Sequence, residues 1–523
     1  MRGATTVRSV PTRQAALFAA LTGLILTTAA CGSDDGAGGS ARGSMTVLVT
    51  QEARSLDPIV ASLSQITGGT QAAAVFDVLL WIDPKTGRAQ PQLAESATAA
   101  EGGRVWTLRL RPDLKFSDGT ALDAEAVKFN WERHADPANK SLQARVVAGL
   151  GIAATDSRTL KVTLPAPNAH FDKVIAHNLA FIGSPTAIRA DPKGFGAKPV
   201  GAGPYRLKSW VRDQQMILER NPKYWQVGGR PPLKELTLKP VVDQTQRLAM
   251  LAANQAQVLT TAQAKLLGDA QKAGLPVLTE GKSGGFMTLF NTSRPPFDDP
   301  RARRAFALIM DPAARAKVVT DGTGKPLSTF LRPGSDFAAP EATLPSNNRV
   351  EAQQLLDALA AEGKPLAFTY STYNSPGSHL TAEYWLAQVA DMKNITMRTE
   401  FLEGTQYLQK VQIQRQFDAG EFVLSFDDPE PVLYNFLHSK GQDNHMQWRN
   451  PAVDQALDQA RATTDAATRR AAYAVVQREL VKDVPMFAYE QAFTAAIRAK
   501  DAKVGDLTVF EDGLIMFDRL GPA

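Results

Sequence analysis

The sequence predicts an α/β protein, with strands and helices following one another from Met45 onward. Three observations carry that prediction. Apolar residues recur either in β-branched runs or with a period of two, helical stripes open on Asp or Asn, and clusters of Gly, Pro, Asn and Asp separate the two kinds of segment. Taken in order, Thr46-Val47-Leu48-Val49-Thr50 has the β-branched content of a buried strand, closed by the turn Leu56-Asp57-Pro58. Trp106, Leu108 and Leu110 alternate with Thr107, Arg109 and Arg111, the pattern of a strand covered on one face, and Ser117-Asp118-Gly119-Thr120 turns the chain after it. Asp123 then caps a helix whose Ala124, Val127 and Trp131 share a face.

The middle of the chain holds Gly201-Ala202-Gly203-Pro204-Tyr205, followed by two strand-like runs, Arg206 to Trp210 and Met216 to Glu219. A phosphate cradle is disfavoured here because Pro204 has no N–H to donate and a strand, not a helix, follows. Asn221-Pro222-Lys223-Tyr224-Trp225 ends the second run. From Asp299 the period becomes helical: Asp299 caps, Pro300 suits the first helical position, and Ala302, Phe306, Ile309 and Met310 line one side. Asn450 and Pro451 repeat that opening ahead of Val453, Ala456, Leu457 and Ala460, and Tyr473, Val476 and Leu480 mark the next helix. Each stripe reads as core. No short-period repeat is present, which disfavours a solenoid.

The first thirty residues read as an address, not as fold. Arg2, Arg8 and Arg13 precede sixteen uncharged, mostly apolar residues, Ala15 to Ala30, which end at Cys31, the single cysteine. That is the layout of a secretory signal peptide. Thr28-Ala29-Ala30-Cys31 resembles the lipobox of bacterial lipoproteins, with Thr28 where Leu is commonest. The resemblance implies that Cys31 is diacylated and becomes the mature N-terminus. A plain signal peptide or an uncleaved anchor is the alternative, but a span needs about twenty apolar residues, and this run is shorter and broken by Gly23 and several threonines. Gly32 to Ser40 is rich in Gly and Ser and reads as a flexible leash. Two acyl chains suffice for stable anchoring.

The chain has 58 basic against 53 acidic residues, and loss of residues 1–30 removes three arginines and no acid. The near-neutral remainder shows no dense basic tract, so no nucleic-acid partner is expected. One thiol excludes internal disulfides, and length suggests about three structural units.

Eight segments, in order, are individually recognisable: Leu56-Asp57-Pro58, Pro91 to Ser96, Trp106 to Arg111, Phe116 to Thr120, Gly203-Pro204-Tyr205, Arg220 to Trp225, Pro296 to Arg301 and Asn450 to Asp454. The series resembles the family 5 extracellular solute-binding proteins, the oligopeptide-, dipeptide- and nickel-type receptors of ATP-binding-cassette (ABC) importers. The resemblance implies a type II, oligopeptide-receptor-like periplasmic-binding-protein fold: two α/β lobes joined by crossing segments, with an extra subdomain on lobe I. Carried onto this chain it gives a signal peptide at 1–30, a lipid-anchored linker at 31–44, lobe I at 45–80, 196–290 and 488–523, the extra subdomain at 81–195, and lobe II at 291–487. It implies a monomer with no cofactor and no metal that captures a small solute, a short peptide by preference, outside the cytoplasm. Its partners would be a permease and an ATPase, and its place the extracytoplasmic face of the membrane, on the periplasmic side where an outer membrane exists.

The same resemblance nominates ligand-binding residues. Ser62-Leu63-Ser64, after the Leu-Asp-Pro turn, would offer backbone groups to a peptide main chain. Tyr489 falls where an aromatic of the closing segment reaches the cleft. In the segment Phe422 to Pro431, family peptide receptors begin with Trp and bind the ligand's α-amino group with an Asp four residues before a proline. With Pro429 as that proline, the preferred ungapped register, Phe422 replaces the Trp and Ser425 the Asp. With Pro431, Asp427 takes the role. A hydroxyl pairs with an ammonium more weakly than a carboxylate does.

Two other readings compete with this one. A lipid-anchored hydrolase would share the leader, but no Gly-x-Ser-x-Gly or His-Glu-x-x-His motif is present and the lone thiol is committed to the N-terminus. A receptor for a nickel chelate would draw on histidines. His170 and His177, and His438 and His445, stand seven apart, two helical turns, too far to share an ion directly.

Overall fold

The structure, a computed structural model, describes residues 43–65, 68–141, 143–226 and 233–521. The leader and Cys31 lie outside the described residues. One mixed sheet of ten strands runs through the body: β1 (Ser44–Val49), β2 (Tyr205–Val211), β3 (Gln215–Arg220), β4 (Glu235–Pro240), β5 (Val258–Thr261), β6 (Val277–Phe290), β7 (Leu366–Tyr373), β8 (Ile395–Leu402), β9 (Ala419–Phe426) and β10 (Met486–Arg498). Their order across the sheet is β8-β7-β9-β6-β10-β5-β1-β4-β3-β2.

β1 is parallel to both its neighbours and buried on both faces over Val47, Leu48 and Val49, which is why its sequence is continuously apolar. The strands β2, β3 and β4 form an antiparallel meander beside it. β7 pairs in parallel with β8 and β9 on the far wing. The two wings meet through β6 and β10, which pair with each other along most of their length. Their register shifts between Gly281 and Gly285 and again at Phe286/Met287. Each wing has its own hydrophobic core, the first built around residues such as Val47, Phe76 and Tyr205, the second around Phe306, Trp385 and Phe487.

Local chemistry sets the helix starts. Asp123 accepts from the N–H of Ala126 and opens Ala124–Ala135; Asp299 accepts from Arg301 N–H and opens Pro300–Ile309; Asn450 accepts from Ala452 and Val453 and opens Pro451–Arg461. The following helix, Ala466–Asp483, buries Tyr473, Val476 and Leu480 as its stripe predicts.

A separate four-stranded antiparallel sheet, Ala94–Ala100, Val105–Leu110, Thr159–Thr163 and Gly151–Asp156 in that order, packs against Ala124–Ala135 and Phe171–Asn178. These elements form a subdomain with a hydrophobic core of its own. It is tied to the first lobe by a buried polar knot. Gln92 donates to Asp77 (3.1 Å) and to Asp518 (3.2 Å), and Tyr224 donates to Asp77 (2.9 Å). Burial, followed by the neighbouring Asp518, pushes the Asp77 carboxyl up to about 7. At Gly203 the chain passes so close to Val75 that a Cβ would stand 2.5 Å from its carbonyl carbon, so the Gly-Ala-Gly-Pro run is a tight joint.

Candidate functional site

Ser62 to Gln65 are presented by the turn before them. The Asp57 carboxylate receives both arms of the Arg133 guanidinium (3.0 and 2.8 Å), and Leu56 N–H donates to Gly196 (2.9 Å), so first lobe and subdomain together fix the turn. Leu63 is buried in the first-lobe core, with Ser62 and Ser64 half-buried on either side of it. A Cβ on Gly69 would meet the carbonyl oxygens of Ser62 (2.5 Å) and Ser64 (2.8 Å), so the helix Gly69–Phe76 braces this backbone closely. Ser64 forms a β-bridge to Asp512 and its Oγ donates to Asp512 Oδ2 (3.1 Å); Gln65 donates to the Asp512 carbonyl (2.6 Å).

From the second lobe, the chain leaving β9 brings Asp427 to Lys282 on β6, Nζ to Oδ2 2.5 Å, with the Lys282 side chain 1% exposed. From the subdomain, His177 meets Glu511, Nδ1 to Oε2 2.8 Å. These pairs form one electrostatic cluster. Burial raises Asp427 to about 6, against the pull of Lys282 and with a push from Glu511. Burial also raises Asp512 to about 6, although the bonds from Ser64 and Gln65 oppose it. Burial works against charge on His177, but Glu511, with Asp443 and Asp512 beyond it, lifts its pKa. Two acceptors in the cluster are buried and lack a hydrogen-bond partner: Asp427 Oδ1 and Glu511 Oε1. Such atoms are costly unless a ligand or water completes them.

The subdomain is locked to the second lobe beside this cluster. Asp428 takes Lys173 from the subdomain (2.5 Å) and Arg469 from its own lobe (2.7 Å), all three side chains at most 8% exposed. Burial alone would raise Asp428, but the two cations hold it below the usual carboxylate range. Glu430 likewise accepts from Asn168 (3.3 Å) and faces Arg461 (3.1 Å). The subdomain and the second lobe are therefore in direct contact. A cavity of about 210 Å³ remains in the seam, lined by Arg145, Phe171, Asn178, Tyr434, Lys440 and Arg461 among others.

The structure thus brings Ser62, Leu63, Ser64 and Asp427 to one region. Ser425 lies half-buried on β9 opposite Gly284, and Phe422 stacks on Phe436 (5.4 Å between centroids) with His445 beside it. Tyr489 departs from expectation. It is fully buried on β10, in the middle of the sheet, packed against Trp385 (5.2 Å) and under the Arg315 guanidinium (4.4 Å), so its ring fills the second-lobe core and does not reach a cleft. Lys282, Glu511 and Asp512 are not nominated by the sequence, and His177 enters there only for its spacing from His170. The Asp512-Gly513 dipeptide is a turn signal in the sequence, and the structure places Glu511 and Gly513 at positive φ. His170 meets the Thr463 carbonyl (2.8 Å) and His445 the Gln412 carbonyl (3.2 Å), and among the described residues no group of three or more His, Cys, Asp or Glu side chains is placed to hold a metal ion.

A two-lobed body with acids and bases converging on one region is the architecture of a solute receptor. The model for bacterial extracellular solute-binding proteins, family 5 (middle), matches residues 88–444, and the chain belongs to that family. Among curated relatives, the glutathione-binding protein GsiB of Pectobacterium atrosepticum is 28% identical over 488 residues, covering 89% of this chain and 91% of its own. GsiB of Escherichia coli K12 is 29% identical over 463 residues, covering 84% and 87%. Among solved structures, Haemophilus influenzae OppA with the peptide RPPGFSPFR superimposes with a TM-score of 0.77 at 20% identity, covering 92% of this chain and 99% of that one. The dipeptide-binding protein of Pseudoalteromonas sp. SM9913 with Met-Leu gives 0.78 at 21% identity, covering 92% and 100%.

Proposed function

We propose that this protein captures a short peptide between its lobes and hands it unaltered to the permease of an ABC importer. The observation that carries the reading is the cluster assembled from both lobes and the closing segment, in which Asp427 and Glu511 each keep one buried oxygen free. Asp427, the position set by Pro431, is the amine anchor in this proposal. Ser425 is set aside, because a carboxylate flanked by Lys282 offers an ammonium far more than a hydroxyl in a strand ladder does. Ser62 to Ser64 supply main-chain groups to the peptide. Relatives named for glutathione and for peptides support a small peptide as cargo.

In the same proposal, lobe I comprises 45–80, 196–290 and 488–523, the subdomain 81–195, and lobe II 291–487, so that β6 and β10 straddle the hinge. Cys31 carries the lipid that tethers a monomeric body outside the membrane. Among the described residues no helix is long and apolar enough to cross a membrane.

Native mass spectrometry of protein purified gently from its own cells identifies the cargo, and thermal melting with a tripeptide panel tests the class. A bound tripeptide at a hundredfold its Kd stabilises by about 2.7 kcal/mol. A panel that leaves the melt unmoved, or peptides recovered hydrolysed, overturns the proposal.

A further inference from the structure

Adjoining the amine-anchoring acids, a second cavity of about 490 Å³ opens where the subdomain meets the second lobe, and Asp427 forms part of its wall. Its roof is the tip of a hairpin at residues 83–88. The Asp83 carboxylate accepts from the N–H groups of Lys85 (2.8 Å) and Thr86 (3.2 Å), and Gly87 N–H returns to the Asp83 carbonyl (2.8 Å), which fixes the turn. The tip lies against the second lobe: a Cβ on Gly87 would stand 3.5 Å from the Asp428 Cβ. Opposite is the turn at Arg332 to Ser335, closed by Ser335 N–H to the Arg332 carbonyl (3.1 Å) and held by Arg332 N–H to Ser283 Oγ (3.4 Å).

The wall carries an excess of uncommitted positive charge. Asp428 is already satisfied by Lys173 and Arg469, and Asp427 is paired with Lys282. Lys85, Arg88 and Arg332 line the cavity and form no salt bridge among the described residues, although Arg332 stands near enough to Asp427 to favour its ionised form. Arg332 Nε is buried and has no hydrogen-bond partner. Against these three cations stand Asp172, whose carboxyl burial raises, and Asp336, which is exposed. A planar guanidinium with an unfilled N–H, backed by two further cations on a facing turn, is suited to a carboxylate.

Resting on the peptide reading above, we propose that this cavity receives a second carboxylate of the peptide, an acidic side chain, and that Arg332 is the residue that selects for it. The ligand then spans the wall shared at Asp427, its ammonium on the acids and its acidic side chain on Arg332, Lys85 and Arg88.

The test is calorimetry of the mature protein with Glu-Ala-Ala, Ala-Glu-Ala and Ala-Ala-Glu, each beside its Gln counterpart. At one position Glu should bind about tenfold tighter than Gln, the difference between a charge-assisted and a neutral hydrogen bond. Arg332→Gln should abolish that preference, and Lys85→Gln on the exposed turn should reduce it in part. Equal binding of Glu and Gln peptides at every position overturns the inference and leaves the peptide reading standing. So does an Arg332→Gln protein that loses all peptides alike. Binding of none of the six overturns both.

Discussion

Lys173→Met removes the cation that reaches from the subdomain into the second lobe. Lys173 and Asp428 are 8% and 7% exposed and 2.5 Å apart, so solvent screens their pair little. Breaking a buried pair by deleting one partner costs about 3–5 kcal/mol. Asp428 keeps Arg469 at 2.7 Å, which places the loss near the lower end, about 3 kcal/mol. Because Arg469 and Asp428 belong to one lobe and Lys173 to the facing subdomain, the cost falls on the closed state alone. That is about a hundredfold in the ratio of closed to open protein, and up to the same factor in ligand affinity where binding requires closure. Small-angle scattering of the ligand-free variant should show a larger radius of gyration, and calorimetry should show the weakened affinity. Arg469→Met, whose change lies within one lobe and leaves Asp428 to Lys173 alone, should instead lower the melting temperature. A Lys173→Met protein with unchanged scattering and unchanged affinity would refute the assignment of this pair to closure.

Asp427 must be ionised to hold an ammonium, and burial lifts it to about 6, so affinity for an amine-bearing tripeptide should be flat above pH 7 and fall about tenfold from pH 7 to 5; Asp427→Asn should erase that slope. On the ligand-free protein the same shift has the opposite sign. A carboxyl raised above its unfolded value of 3.8 contributes stability that is full below that value and lost as the pH rises through about 6. Titrations giving one affinity at pH 5 and 7 would count against Asp427 as anchor. Gly203→Ala drives a methyl to 2.5 Å from the Val75 carbonyl carbon and should cost about 1–3 kcal/mol, read as a lower melting temperature; an unchanged melt would show that the joint yields. Cys31→Ser should move the mature protein from the detergent-rich to the aqueous phase on detergent phase separation, and unchanged partitioning would rule out the lipid.

What could be read from sequence was what local chemistry decides. Asp123, Asp299 and Asn450 cap the helices they announce because a cap needs only its next three residues. The strand at Val105–Leu110 follows from alternation over six residues. The motifs that carried the family resemblance prove to be joints: Asp57 holds Arg133, and Gln92 and Tyr224 meet at Asp77. The site was less legible because its charges come from distant parts of the chain. Lys282 and Asp427 are 145 residues apart, and His177 and Glu511 are 334 apart. No spacing rule links them. Tyr489 was misjudged for a related reason: its position in the chain says that it lies on a connecting strand, but only the packing of Trp385 and Arg315 over it decides that it faces the core.

The shared sheet also limits how this body can move. Since β6 and β10 are ladder neighbours and each continues into both wings, the lobes cannot slide or swivel freely without tearing hydrogen bonds. The wider of the two interruptions in the ladder is the glycine stretch from Gly281 to Gly285, and at Gly284, φ +78°, a methyl would stand 2.4 Å from the Leu424 carbonyl oxygen. Flexure concentrated there resembles a creased card: one axis, two faces, and a permease that needs to sense only whether the card is folded.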